Sequence, residues 1–428
     1  MLTHRINLYG FLISAFSILF YCYEYLLRIE PSLMMPQLIS YFHLSEAGLG
    51  GLVALYYFAY TPMQMITGIS IDYFGPRKIL VFALLFCITG CLLFGNSINF
   101  VTAGIGRFLM GLGSSFAFIS ALKIASYWLP IRYFDLFVGL LSASAMLMAM
   151  IGDIILCRLL EHFNWHSLLI LSSIIGVFLL MVLCFDIRNQ NRSAQWKTHD
   201  PLNFKHLLHH FGILIRNPQM WLLGMIGCSM MLSLSVFAET WGISFLRTYH
   251  SANNQQASEL NSFIFLGWLI GSPLAGIIAG KLKSHRLILF FGCLLAALDF
   301  SLILYIEIRS VKLLSGLLFL FGFFSSAQII AYAIIRNKIS TKIAATAFAF
   351  FNFQVMLGGM IVQPLIGLIL DINWGGSVDH GIRLYSKFEH HIAMSIIPAS
   401  LLIASVLVIF LKETYNPYPS KTPASAKS

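Results

Sequence analysis

Glu24 and Arg28, an acid and a base four residues apart, lie inside the apolar stretch 8–40 of this 428-residue chain. At that spacing, with the acid first, both side chains share one helix face and can pair. Charges inside such a stretch are costly and point to function by default. A buried carboxyl can exchange a proton near neutral pH, so Glu24 is a candidate proton carrier, with a permanent structural ion pair as the alternative. Arg28 could hold a carboxylate or another anionic group. Glu239, beside Trp241-Gly242 in the stretch 219–246, could receive an amine or hydroxyl. Asp153 falls in 136–157 and, with Ser142 set on Asn352, aligns with Gln363, so both are expected at symmetric cavity positions. Asp153 joins Glu24 as a proton-coupling candidate.

The expected substrate-binding set is Arg28, Arg107, Glu239, Trp241, Asn352, Tyr57 and Gln64. Arg107 divides between a functional charge and a tie to nearby backbone. The aromatic and amide members offer stacking faces and hydrogen bonds, although any one of them is more often packing. Asp299 is read as a structural residue, and Lys123 as a side chain that snorkels to the interface.

The elements that must position these residues are membrane spans. The chain is 58% hydrophobic and 10% charged, with a mean hydropathy of +0.81, which excludes an ordinary soluble globule. Twelve stretches, from 8–40 to 391–411, meet the roughly 20 apolar residues a helical span needs. Their unbroken length excludes a barrel of short alternating strands. The net charge of +10 does not indicate nucleic acid. With an inside N-terminus, eighteen of the 27 Lys and Arg fall in inner segments, six in outer ones, and Arg28, Arg107 and Lys123 within spans. That bias places both termini in the cytoplasm. The seven cysteines all lie in apolar stretches, which speaks against a disulfide framework. The first stretch reads as an uncleaved span rather than a signal peptide.

Four regions result: a six-span bundle at 1–187, a linker at 188–218, a second six-span bundle at 219–411 and a tail at 412–428. The linker contains an amphipathic segment (Leu202, Phe204, Leu207, Leu208, Phe211, Leu214) expected on the inner membrane surface. The bundles are related by a repeat. Gly68-x3-Asp72-x2-Gly75-x-Arg77-Lys78 recurs 208 residues later as Gly276-x3-Gly280-x2-Lys283-x-His285-Arg286, without the acid. A near-halving repeat in a membrane protein places a site between two homologous bundles.

The first copy of this loop resembles the signature loop of the major facilitator superfamily. In it, Gly68 allows close helix approach, Gly75 makes the turn, Arg77 and Lys78 anchor the inner face, and Asp72 can latch onto the other bundle. This chain has Tyr73 where the superfamily usually has Arg. Gly106-Arg107-x3-Gly111-x-Gly113-Ser114-Ser115 is similar to the superfamily's span-4 motif, with an echo at Gly322-x2-Ser325-Ser326 and Leu318 in place of the arginine. Further elements are Tyr23-Glu24-Tyr25-x2-Arg28-x2-Pro31-Ser32, Phe237-x-Glu239-x-Trp241-Gly242, Asn352 with Gln363-Pro364, Gly367 and Asp371, and Gly381-x-Arg383-x-Tyr385-Ser386. These resemble a bacterial branch that includes phagosomal nutrient transporters. The resemblance implies an all-α integral membrane fold of twelve helices in two pseudo-symmetric bundles, working by alternating access in the inner membrane.

The expected function is proton-coupled import of a small polar solute, an amino acid or another nutrient, by a monomer in a lipid bilayer. Mixed charges in the site favour a zwitterion over a multiply charged anion. A sensor of the same fold without flux is the first rival. An efflux antiporter is the second, disfavoured because 142–152 has no proline. No nucleophile elbow, phosphate loop, metal-ligand spacing or dinucleotide fingerprint occurs, so no enzyme, metal or cofactor is expected.

Overall fold

The computed structural model describes residues 8–128, 131–187, 211–250, 252–338, 344–379, 382–383 and 385–412. The side chains of Gly68, Asp72, Arg77 and Lys123 lie outside the described residues, as do the linker to residue 210 with its histidines and the tail from 413.

Spans 1 to 3 are α1 (Leu8–Phe42), α2 (Glu46–Phe74) and α3 (Pro76–Gly95). Span 4 breaks into α4 (Phe100–Ser114) and α5 (Ala117–Trp128). Spans 5 and 6 are α6 (Ile131–His162) and α7 (Trp165–Ile187). Span 7 runs through α8 (Pro218–Leu232), a π-helical stretch (Ser233–Trp241) and α9 (Gly242–His250). Spans 8 and 9 are α10 (Asn254–Leu282) and α11 (His285–Tyr305). Span 10 joins α12 (Val311–Ser325), a 3-10 turn (Ser326–Ile329) and α13 (Ile330–Lys338). Span 11 is α14 (Ala344–Asn373), and span 12 is α15 (Lys387–Met394) followed by α16 (Ile396–Ile409). A two-residue antiparallel hairpin, β1 (Val378–Asp379) with β2 (Ile382–Arg383), connects spans 11 and 12.

Eleven of these segments are long and apolar enough to cross a membrane. The twelfth, α2, is 29 residues long, and Tyr56, Tyr57, Tyr60 and Gln64 dilute its apolarity. Several helices overrun the expected stretches. α6, for example, covers Ile131–His162 against 136–157, because helical hydrogen bonding continues past the apolar residues that define a span. Ser45 and Asn99 cap their helices, accepting the N–H of Gly48 at 3.3 Å and of Thr102 at 2.9 Å.

The repeat is visible in the packing. A Cβ on Gly111 would stand 2.1 Å from the Tyr56 carbonyl, and one on Gly322 would stand 2.1 Å from the Ile264 carbonyl. Ile264 follows Tyr56 by 208 residues, the spacing of the loop repeat. Span 4 therefore presses on span 2 as span 10 presses on span 8, and only glycine fits at either crossing. Both spans break just after these crossings. Ser115 bonds back to the Leu112 carbonyl and Ser326 to the Phe323 carbonyl, each at 2.7 Å, which competes with the helical ladder and bends it. Nothing approaches the Cβ position of Gly276 within 4 Å.

The halves meet along two seams. One is α2 against α14, from Ala47 and Asp371 to Gln64 and Asn352. The other is α6 against α10, at Asp153 and Asn261. At the described end of the amphipathic segment, Phe211 and Leu214 are buried, and the Phe211 ring packs 6.2 Å from Phe350 of α14.

Candidate functional site

The site starts from a proline-interrupted helix. Pro31 in α1 has no N–H to give the carbonyl four residues back, Leu27. Arg107 of α4 supplies the missing donor: Nη1 reaches the Leu27 carbonyl at 2.6 Å and Nη2 the Arg28 carbonyl at 3.1 Å. Its guanidinium also lies 4.5 Å from the Tyr56 ring centre. Arg107 thus stands behind Arg28, directed at span-1 backbone.

Arg28 is 2% exposed and lies at the junction of the halves. Its Nη2 donates to Glu24 Oε1 on the same helix, and the Tyr56 hydroxyl donates to that oxygen at 2.7 Å. Its Nη1 stands 3.7 Å from Oε1 of Glu239, on the other half. The Tyr57 hydroxyl donates to Glu239 Oε2, a second bond across the seam. The rings of Tyr25 and Tyr60 flank the guanidinium at 4.6 and 4.9 Å, a cation–π arrangement that stabilises a buried cation. Two carboxylates from opposite halves thus share one arginine. Glu24 Oε2 makes no hydrogen bond to the described residues.

Glu239 is positioned by an irregular helix. All nine residues of Ser233–Trp241 are buried and wound as a π-helix, an uncommon form found most often at functional sites. Gln363 of α14 stitches the wide turn, its amide donating to the Ser235 carbonyl at 2.5 Å and to Thr240 Oγ1 at 2.8 Å. The Gln363 carbonyl in turn accepts Trp241 Nε1 at 3.1 Å. Gly242 closes the stretch, since a Cβ there would meet Asn261 Oδ1 at 2.4 Å.

The nominated residues form one cluster with outliers. Glu24, Arg28, Tyr57 and Glu239 come together. Gln64 and Asn352 pair across the seam two turns further along α2, the Asn352 amide donating at 2.8 Å, and Tyr332 donates to Asn352 Oδ1 at 3.2 Å. Trp241 packs against α14 through Gln363. Asp153 lies on the other seam, where Asn261 donates to it at 2.7 Å and to the Ala238 carbonyl at 2.8 Å. Asp153 and Gln363 therefore do not share a symmetric arrangement: one binds an amide across the halves, while the other braces its own half. Among the described residues Asp299 has no hydrogen-bonding or ionic partner, against the expected structural tie. Of the loop motif, Gly75 takes φ 79°, a left-handed conformation that glycine adopts freely, and Lys78 is exposed.

Sequence reasoning missed Glu30. It is fully buried on α1, accepts the Ser172 hydroxyl of α7, and has no cationic partner among the described residues. Tyr23 braces the same turn by donating to the Ser172 carbonyl at 2.9 Å. The available signal was a third charged residue six positions after Glu24 in one apolar stretch. The π-helix left no comparable mark in the sequence.

Two six-helix halves, broken helices and a charged cluster at their junction define a membrane transporter. The Major Facilitator Superfamily model matches residues 11–363, and the chain belongs to that family, a class of transporters rather than enzymes. It is 21% identical over 369 residues to the probable sulfoacetate transporter SauU of Cupriavidus necator, covering 82% of this chain and 85% of the relative. It is 25% identical over 367 residues to the cis,cis-muconate transport protein of Acinetobacter baylyi, with 82% and 83% covered. In structure it is similar to a bacterial homologue of the human lysosomal transporter Spinster, inward-facing and unoccupied. That match has a TM-score of 0.75 and 14% identity, and covers 94% of this chain and 97% of the other.

Proposed function

We propose that this protein imports a small organic solute carrying an anionic group, together with a proton, across the bacterial inner membrane by alternating access. The observation that carries the reading is the shared arginine. Glu24 and Glu239 both address Arg28, and one guanidinium cannot neutralise two buried carboxylates, so a proton is the natural complement. A substrate carboxylate docking on Arg28 displaces Glu239, the more distant partner at 3.7 Å, before it displaces Glu24. Glu239 is then free to receive a substrate amine or hydroxyl, or the proton. The relatives named for sulfoacetate and muconate transport support an anionic solute. An amino acid-like zwitterion also meets the site, through Arg28 and Glu239.

The inner-membrane orientation rests on the cation bias, with both termini in the cytoplasm. Under it, the Ala47–Asp371 end of the α2–α14 seam lies on the outer side. The test is uptake into proteoliposomes with a panel of organic acids, amino acids, nucleosides and sugars, with and without an inward proton gradient. The expected result is gradient-driven accumulation of an acid or zwitterion that is lost in Arg28→Gln. Ligand stabilisation without flux identifies a sensor instead, and accumulation unaffected by Arg28→Gln removes the arginine from the site.

A further inference from the structure

A second polar constellation closes the seam where the first turn of α2 meets the last turn of α14, away from Arg28. Asp371 lies two residues before the end of α14, in the second half. Its Oδ2 accepts the backbone N–H of Ala47 at 2.9 Å. Ala47 is in the first turn of α2, in the other half. The start of a helix presents N–H groups with no partner of their own and the positive end of the helix dipole. Asp371 therefore caps a helix that belongs to the opposite half.

The same carboxylate sits at the C-terminal end of its own helix, where the dipole disfavours it. Two donors from the loop between spans 11 and 12 offset this. The Tyr385 hydroxyl donates to Oδ1 at 2.5 Å and Arg383 Nη1 at 3.1 Å. Arg383 is held for the task by the β1–β2 pairing and by the Trp374 ring, 4.5 Å from its guanidinium. Backbones touch beside the cap: a Cβ on Gly367 would stand 2.3 Å from the Glu46 carbonyl.

The arrangement has a counterpart in the sequence. Asp72 lies two residues before Phe74, the end of α2, just as Asp371 lies two residues before Asn373, the end of α14. α2 and α14 run antiparallel along one seam, so the last turn of each faces the first turn of the other.

We propose that Asp371 is a clasp for the end of the seam formed by the first turn of α2 and the last turn of α14, a cap across the two halves that must break before that face opens. The proposal rests on the alternating-access reading but not on the substrate, the proton or the direction of transport. Its test needs none of them.

Val53 is 1% exposed and sits between Gly50 and Tyr57 on the α14-facing side of α2. In full-length protein in nanodiscs, a Val53→Cys reporter reads opening of this seam as a rate of maleimide labelling, measured at residue 53 by mass spectrometry. Asp371→Asn keeps the side-chain shape and removes the charge. Labelling is expected to rise on the order of tenfold, the effect of losing one charge-assisted hydrogen bond. Arg383→Gln combined with Tyr385→Phe leaves Asp371 in place without its supporting donors and is expected to shift the rate in the same direction. This double variant decides the matter if Asp371→Asn does not fold. A labelling rate unchanged from the parent in the folded variants overturns the clasp. Raised labelling in the variants, with no solute carried by the parent protein, would count against the transport reading alone.

Discussion

Arg28 and Glu239 face each other across the seam at 3.7 Å, while Arg28 is in direct contact with Glu24 on its own helix. The arginine therefore has a reserve partner, and this changes what loss of the first partner should do.

Removing one member of a buried ion pair typically costs about 3–5 kcal/mol, because the survivor is left uncompensated. With Glu239 in reserve, Glu24→Gln is expected to fold and to lose less than that in thermal stability. It should still exchange substrate between the two sides of a proteoliposome and fail to accumulate it under a proton gradient. Counterflow and gradient-driven uptake measured side by side check this. Undiminished accumulation moves the proton site to Glu239 or Asp153. A misfolded Glu24→Gln rescued by Arg28→Gln makes Glu24 a structural counter-ion.

Arg107 and Pro31 should be thermodynamically coupled. Arg107→Gln leaves the Leu27 and Arg28 carbonyls without their present donors, at a cost of about 1–3 kcal/mol for a buried unsatisfied group. Pro31→Ala restores an N–H to Leu27, so the same arginine change should cost about 1 kcal/mol less in that background. Thermal unfolding of the two single variants and the double variant gives the coupling. Strict additivity would mean that Arg107 does not substitute for the missing N–H.

The helix crossings make a contrast of glycines. Gly322→Ala pushes a methyl to 2.1 Å from the Ile264 carbonyl, whereas Gly276→Ala meets nothing within 4 Å. The first is expected to abolish a monodisperse, folded species. The second should stay within about 0.5 kcal/mol of the parent, as an exposed helical glycine replaced by a better helix former does. Size-exclusion profiles and melting temperatures of both decide it.

Orientation can be checked directly. The eighteen inner cations against six outer ones predict that residue 200 is in the cytoplasm. A reporter fused there should be active only if it is cytoplasmic, and a periplasmic signal reverses the assignment of both faces.

Span number, helical class and the repeat were legible because hydrocarbon demands long apolar runs and duplication leaves a fixed spacing. Glu24, Arg28 and Glu239 were legible as charges where charges are costly. Their common contact was not, since the Arg28–Glu239 approach depends on how α1 and the π-helical stretch are rotated, and no periodicity records that. Arg107 carried two readings in the sequence, and its bonds to Leu27 and Arg28 follow from a proline on another helix. Asp371 was visible only as part of a motif, because the Ala47 N–H it accepts belongs to backbone 324 residues away.

The two copies of the repeat have diverged in what they contribute. Glu24, Arg28, Glu30 and Arg107 all belong to the first copy, and Leu318 takes the arginine's place in the second. The longest departures from α-helical winding, the π-helical stretch of span 7 and the 3-10 turn of span 10, belong to the second. The first copy thus carries most of the buried charges near the junction, and the second, besides Glu239, carries the irregular winding. Substitutions around Arg28 in the first copy can accumulate without altering the winding of the second, a freedom that duplication opened and that a single undivided bundle would lack.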